Sequence, residues 1–179
     1  NLCKAVTFIV GVHVPIVGMS LLPVLFGWPM MLMPIHVMFL QLIIDPVCSI
    51  VFEAEPEDSD TMRRPPRAPE ASIFGSASVL VGLFQGTALL GAVLAVDWIA
   101  RSRGVDADGA RALTFITLAM GGVALVFANR SVSNDIRRML LARNAALWPI
   151  AIGTCVLLAA VLAVPALRSA FHFGSLAMH

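Results

Sequence analysis

Residues 41–67, QLIIDPVCSIVFEAEPEDSDTMRRPPR, decide the fold class of this chain. The stretch begins in an apolar segment that contains Gln41 and Asp45, and it continues into an acidic, then basic, proline-rich segment. A carboxylate in the middle of a membrane span costs roughly 2.5 to 3.5 kcal/mol on insertion scales, so such a residue is expected to serve a function. Asp45 is therefore the first candidate for a functional residue.

The composition places the whole chain in a membrane. Of its 179 residues, 59% are hydrophobic and 13% are charged, whereas soluble domains carry about 25% charged residues. A spanning helix needs about 20 apolar residues, and such stretches lie at about 5–27, 35–54, 74–99, 111–128 and 145–166. The sequence thus predicts an all-α, polytopic membrane helix bundle with five spans. Residues 168–179 are expected to be too short and too polar to span again.

The basic residues between the spans predict the orientation. By the positive-inside rule, the side that carries more Lys and Arg faces the cytosol. One side collects Lys4, Arg63, Arg64, Arg67, Arg130, Arg137, Arg138 and Arg143, whereas the other holds Arg101, Arg103, Arg111 and Arg168. We therefore expect a cytosolic N-terminus, in an integral protein of the plasma membrane of a bacterium.

The opening stretch resembles a pattern of the cation-transporting P-type ATPases, most familiarly the calcium pumps. In that family, NLxTD on the sixth span is followed by (D/E)PxxxDxMxRPPR at its cytosolic exit. This chain has Gln41, Leu42 and Asp45 in the first part, and in the second part it has Glu55, Pro56, Asp60, Met62, Arg64, Pro65, Pro66 and Arg67. The resemblance covers essentially the whole chain. It implies that the five spans correspond to the fifth to ninth spans of a ten-span pump.

The resemblance also implies cofactors and partners beyond these residues. The family's phosphorylation sequence DKTGT, its nucleotide-binding domain, its TGE loop and its proline-broken fourth span are absent from this sequence. Mg²⁺ and ATP would bind in those domains, so this fragment alone is expected not to hydrolyse ATP. Its expected partners are the phosphorylation domain, the first to fourth spans and the tenth span of the same pump, together with the lipid bilayer. No nucleic-acid partner is expected.

Candidate cation ligands lie on the second span. Gln41 and Asp45 are four residues apart and therefore lie on one face of a helix. Carboxylate and carbonyl oxygens are the ligands that a hard cation such as Ca²⁺ accepts. Pro46 lacks an amide hydrogen, so the Leu42 backbone carbonyl loses its helical partner and becomes a third candidate oxygen. The alternative is that Asp45 is protonated and packs between helices.

His13, near the middle of the first span, is a further candidate. An imidazole can bind a transition metal or carry a proton near neutral pH, and a hydrogen-bonded packing histidine is the alternative. By resemblance, calcium pumps carry asparagine at the position of His13 and glutamate at that of Ile16, and those with two calcium sites carry another glutamate near Gly121 and Gly122. These departures imply that one of the two calcium sites is absent. Calcium is the default ion of the family, while manganese, another divalent ion or a proton remain alternatives.

The proline-rich segment 55–72 is expected to be stiff, because its prolines favour an extended chain. In the family, the corresponding loop contacts the phosphorylation domain. The resemblance therefore implies that Arg63, Arg64 and Arg67 pair with acidic groups there and couple the two parts. Their alternative role is to hold the segment on the cytosolic side.

Other residues of the spans are expected to be structural. Gly82 and Gly86 form a GxxxG pattern, which allows close helix contact, and the resemblance implies that the third span packs on the first. His36 and Asp97 lie at the ends of spans and are expected at the membrane interface.

A rival hypothesis from another class is a stand-alone membrane protein, such as a secondary transporter or an accessory subunit. The upstream reading frame separates the two hypotheses, because a pump requires DKTGT in the same chain.

Overall fold

The computed structural model describes residues 2–53, 76–130 and 147–174, and its regular segments are helical. In chain order, these are α1 (Leu2–Phe26), α2 (Pro34–Pro46) with a π-helical continuation (Val47–Val51), α3 (Ser76–Ser102), α4 (Ala107–Arg130), α5 (Leu147–Ala163) and α6 (Pro165–Ala170). The predicted all-α fold class is thereby confirmed. The segment 55–72, with Arg63, Arg64 and Arg67, lies outside the described residues.

Within the described residues, four helical segments are long and apolar enough to cross a membrane, namely Leu2–Phe26, Pro34–Val51, Ala77–Ser102 and Ala107–Asn129. α5 is equally apolar, but its 17 residues are at the lower end of the range for a spanning helix. It is followed by Val164 in an extended conformation, after which Pro165 opens α6; proline suits the first turn of a helix because its missing N–H has no partner there anyway. The chain is a membrane helix bundle.

α1 and α3 approach each other closely at two glycines. A Cβ atom on Gly86 would lie 2.6 Å from the carbonyl oxygen of Gly11, and one on Gly82 would lie 2.7 Å from the carbonyl oxygen of Thr7. Pro15 has no amide hydrogen, so the Gly11 carbonyl has no i+4 partner within α1. A Cα hydrogen of Gly86 points at this carbonyl, as in the weak Cα–H···O contacts found at helix interfaces. Gly82 and Gly86 therefore set the distance between the two helices.

An amide pair joins α3 to α4. Asn129 Nδ2 donates to Gln85 Oε1 at 2.8 Å and to the Leu125 carbonyl at 2.9 Å. Gln85 Oε1 also lies near Gly11 of α1, 3.7 Å from where a Cβ would be. Polar side chains within a membrane helix must find partners in neighbouring helices. The pair thus fixes the mutual register of α3 and α4 beside α1.

His36 anchors the N-terminal end of α2. The ring is fully buried, its Nδ1 accepts from the Met33 N–H at 3.1 Å, and its Nε2 donates to the Phe171 carbonyl at 2.9 Å. Because Nδ1 accepts, the single proton of the neutral ring is on Nε2. The rings of Phe115 and Phe173 lie 5.0 and 5.1 Å away. Aromatic residues from α4 and the segment after α6 therefore enclose His36, and its position at the membrane interface stays a prediction.

Arg111 ties the same end of the bundle together. Its Nε donates to the Met30 carbonyl at 3.2 Å, and its Nη1 donates to the His172 carbonyl at 2.8 Å and to Asp108 Oδ1 at 2.7 Å. A guanidinium has five donors in a rigid plane. The hydrogen bonds of this one side chain therefore join three parts of the chain: the segment between α1 and α2, the start of α4 and the segment after α6. α2 therefore begins in a well-packed environment.

Candidate cation site

Asp45 lies deep within a segment that is long enough to span the membrane. It follows Pro34 by roughly 16 Å of helix at a rise of 1.5 Å per residue, and the whole segment Pro34–Val51 is apolar enough to cross. Its side chain is exposed on the surface of the described bundle. Among the described residues, no hydrogen bond or ion pair reaches its carboxylate, although its backbone carbonyl accepts from Ser49 Oγ at 2.8 Å. The carboxylate is thus available to a ligand.

Gln41 lies one helical turn before Asp45 and is half-buried. Its Oε1 atom is enclosed by protein and has no hydrogen-bond partner within the described part of the chain. A buried carbonyl oxygen without a partner is costly, which makes this atom a candidate ligand. On the same helix, Ile44 is buried in the core. Asp45 therefore lies at the edge of the face that packs inward, one helical turn from the residue that carries the unsatisfied amide oxygen.

The helix changes geometry directly after Asp45. Pro46 cannot donate to the Leu42 carbonyl, the Val47 N–H contacts both Ile43 O and Ile44 O, and the next turn is π-helical, with the Phe52 N–H bonded to Val47 O at 3.2 Å. Single π-helical turns frequently occur at functional sites, because they redirect carbonyls and side chains. The sequence predicted the loss of the Leu42 partner at Pro46, but nothing in it predicted the π-helical turn that follows.

His13 lies on α1, and one of its two ring nitrogens is already in a hydrogen bond. Its Nδ1 donates to the Ile9 carbonyl at 2.8 Å, so Nε2 of the neutral ring carries the lone pair that a metal or proton would need. Its helix packs against α3 and α4, whereas α2 and its continuation contact α5. The Phe8 and Phe52 rings, 5.4 Å apart, connect α1 with the end of the α2 segment. No described hydrogen bond or ion pair joins His13 to Gln41 or Asp45.

The described residues contain no group of three or more His, Cys, Asp or Glu side chains that could hold a metal ion. What they present is a carboxylate and an amide oxygen on one helix, beside a proline and a π-helical turn. Cations such as Ca²⁺ take six to eight oxygen ligands. The arrangement can therefore supply part of a cation shell, and the remaining ligands must come from elsewhere.

A second carboxylate lies in the described residues at the end of α3. Asp97 was expected at the membrane interface, a position that stays a prediction, and the structure adds that only 6% of it is exposed. Its Oδ2 accepts from Arg101 Nε at 2.8 Å. The spacing of these two residues, i and i+4 on a helix, is the sequence signal that would have predicted their ion pair.

The four long apolar helices define an integral membrane protein. The model of the family described as "Cation transporting ATPase, C-terminus" matches residues 29–179. The chain belongs to this family of cation-transporting ATPases, of which it represents the C-terminal membrane region. It is similar to calcium-transporting ATPase 1 of Bacillus cereus (strain ATCC 10987 / NRS 248), with 30% identity over 108 residues. That match covers 60% of this chain and 12% of the length of the relative.

Proposed function

We propose that α2 contributes the ligands Gln41 and Asp45 to the transport site of an ATP-driven pump for a divalent cation, with calcium as the first candidate. The observation that carries this proposal is the exposed Asp45 carboxylate beside the unpartnered Gln41 Oε1, on a helix long enough to span a membrane. The similarity to a calcium-transporting ATPase supports the choice of ion.

The exposure of Asp45 supports a site that other parts of the pump would complete. A carboxylate that faces hydrocarbon costs several kcal/mol, so charged residues in membranes face a protein interior or a polar cavity. We infer that further spans of the same pump cover this face of α2 and provide additional oxygen ligands. The Leu42 carbonyl and His13 Nε2 are weaker candidates, and no hydrogen bond or ion pair connects His13 with Asp45 in the described residues.

In this proposal the chemistry of ATP takes place in other domains. The chain has neither DKTGT nor TGE, so Mg²⁺ and ATP are assigned to cytosolic domains of the parent protein, and the fragment alone is not catalytic. An aspartyl-phosphate cycle there would expose the site to the two sides of the membrane in turn. Arg63, Arg64 and Arg67 would pair with the phosphorylation domain, with the N-terminus in the cytosol of a bacterium.

The test replaces Asp45 in the complete gene product. Asp45→Asn keeps the shape but removes the charge that offsets the desolvation of a cation, so we expect Ca²⁺ affinity, measured from Ca²⁺-dependent phosphorylation by ATP, to fall about tenfold or more. Phosphorylation by inorganic phosphate, which requires an empty site, should survive. Glu53→Gln is the matched control, because Glu53 is exposed near the end of the same segment. Wild-type transport with unchanged ion affinity in Asp45→Asn would show that Asp45 is structural.

A further inference from the structure

A cavity of about 560 Å³ opens between the α1–α2 connection and the last turns of α3. It lies at the end of the bundle opposite to the start of α3. Trp98 is 72% exposed and Trp28 is 46% exposed, and tryptophan side chains mark the headgroup level of a membrane. Besides Asp97 and Arg101, the lining of the cavity is apolar or aromatic and includes Trp28, Ala95 and Trp98. It is therefore a largely apolar space at the depth of lipid headgroups.

Two charged side chains of this lining have unused hydrogen-bonding capacity. Asp97 is more than nine-tenths buried, and its Oδ1 has no hydrogen-bond partner in the part of the chain that the structure describes. Among the described residues, Arg101 donates from its Nε alone, to Asp97 Oδ2, and its terminal nitrogens there retain four N–H donors. Both residues line the cavity, so a ligand there is within reach of the carboxylate and the guanidinium. The site thus offers one acceptor and several donors side by side.

This pairing selects the charge of the ligand. A bare cation is disfavoured because Arg101 already neutralises the carboxylate, and a bare anion would leave the buried Oδ1 unpaired. A ligand with both charges satisfies both residues. A quaternary ammonium has no N–H to donate to Oδ1, whereas a primary ammonium has three. We propose that this cavity binds a zwitterionic phospholipid of the phosphatidylethanolamine class, whose ammonium donates to Asp97 and whose phosphate accepts from Arg101.

The test measures which lipid the protein retains. The complete gene product is placed in phosphatidylglycerol nanodiscs that contain equal minor amounts of phosphatidylethanolamine and phosphatidylcholine with matched acyl chains. After extraction in detergent, native mass spectrometry counts the lipids that remain bound. We expect wild type to retain phosphatidylethanolamine over phosphatidylcholine about tenfold, since hydrogen bonds to charged groups are strong enough for such a preference.

Two variants locate this preference. Asp97→Asn should reduce it to within about twofold, whereas Asp106→Asn, an exposed carboxylate outside the cavity lining, should retain it. Ala95→Phe fills the cavity without touching the ion pair and should abolish retention, whereas Ala92→Phe, on the exposed surface of the same helix, should not.

Equal retention of both lipids by wild type would overturn the proposal, as would a preference that survives in Ala95→Phe. If Asp97→Asn fails to fold, Ala95→Phe decides the question. Since the proposal does not depend on the cation site, unchanged Ca²⁺-dependent phosphorylation in these variants neither supports nor weakens the assignment of Asp45.

Discussion

Substitution of Gly86 by alanine is the sharpest test of the helix packing. The new Cβ would lie 2.6 Å from the Gly11 carbonyl oxygen and 2.7 Å from Val14 Cβ. The Gly11 oxygen is a backbone atom of α1, and Val14 Cβ is bonded directly to that backbone. Neither atom can move away by a side-chain rotation. The two helices must therefore separate until these distances reach about the 3.4 Å of ordinary contact. The separation also weakens the Cα–H···O contact to a carbonyl that Pro15 leaves without a helical partner.

The expected cost follows from these distances. Overpacking by one methyl group typically lowers the free energy of unfolding by about 1 to 3 kcal/mol. We expect Gly86→Ala in the upper part of that range, because the backbone of α1 cannot move aside as a side chain can. Alanine has the higher helix propensity, by about 1 kcal/mol, which partly offsets the cost. Gly91→Ala measures this offset alone, because Gly91 lies on the same helix with nothing within 4 Å of its Cβ position.

The assay is reversible unfolding of the purified protein in mixed micelles, in which the free energy of unfolding is compared between the two variants. We expect Gly86→Ala to be less stable than Gly91→Ala by about 2 kcal/mol. Equal stability of the two variants would refute the view that Gly86 sets the α1–α3 distance.

Three further outcomes are expected. His36→Phe keeps the aromatic packing but leaves the Met33 N–H and the Phe171 carbonyl unpaired, so the free energy of unfolding should fall by about 1 to 3 kcal/mol; ¹⁵N chemical shifts of wild type should also show the Nε2–H form, and an Nδ1–H form would contradict the assigned bonds. Asn129→Leu leaves Gln85 Oε1 without its donor and should destabilise the protein by roughly 0.5 to 2 kcal/mol, whereas an equally stable variant would show that the amide pair has no structural role. In a background without native cysteines, Ala107→Cys should react with an impermeant reagent applied to intact cells and Ser59→Cys should not, and labelling of Ser59→Cys would reverse the predicted orientation.

The sequence alone determined the class of this protein. Spanning helices can be predicted from the length and composition of a segment. The hydrocarbon core of a membrane excludes charged residues, so about 20 consecutive residues of a spanning helix must be mostly apolar. The motif from Glu55 to Arg67 pointed to the cation-transporting ATPases, and the family model confirms this. Asp45 was recognisable as a candidate because a carboxylate within a membrane span costs free energy. Its role in cation binding stays a prediction.

The tertiary structure decided which faces meet. Within a membrane span nearly every residue is apolar, so no polar stripe marks the side that packs against a neighbour. Gly86 contacts the carbonyl of Gly11, 75 residues away in the sequence. The burial of His36 depends on Phe171, 135 residues away, and the pairing of Gln85 with Asn129 spans 44 residues. The GxxxG pattern of Gly82 and Gly86 predicted a close helix contact, but the long-range partners of His36 and Gln85 follow from the tertiary packing alone.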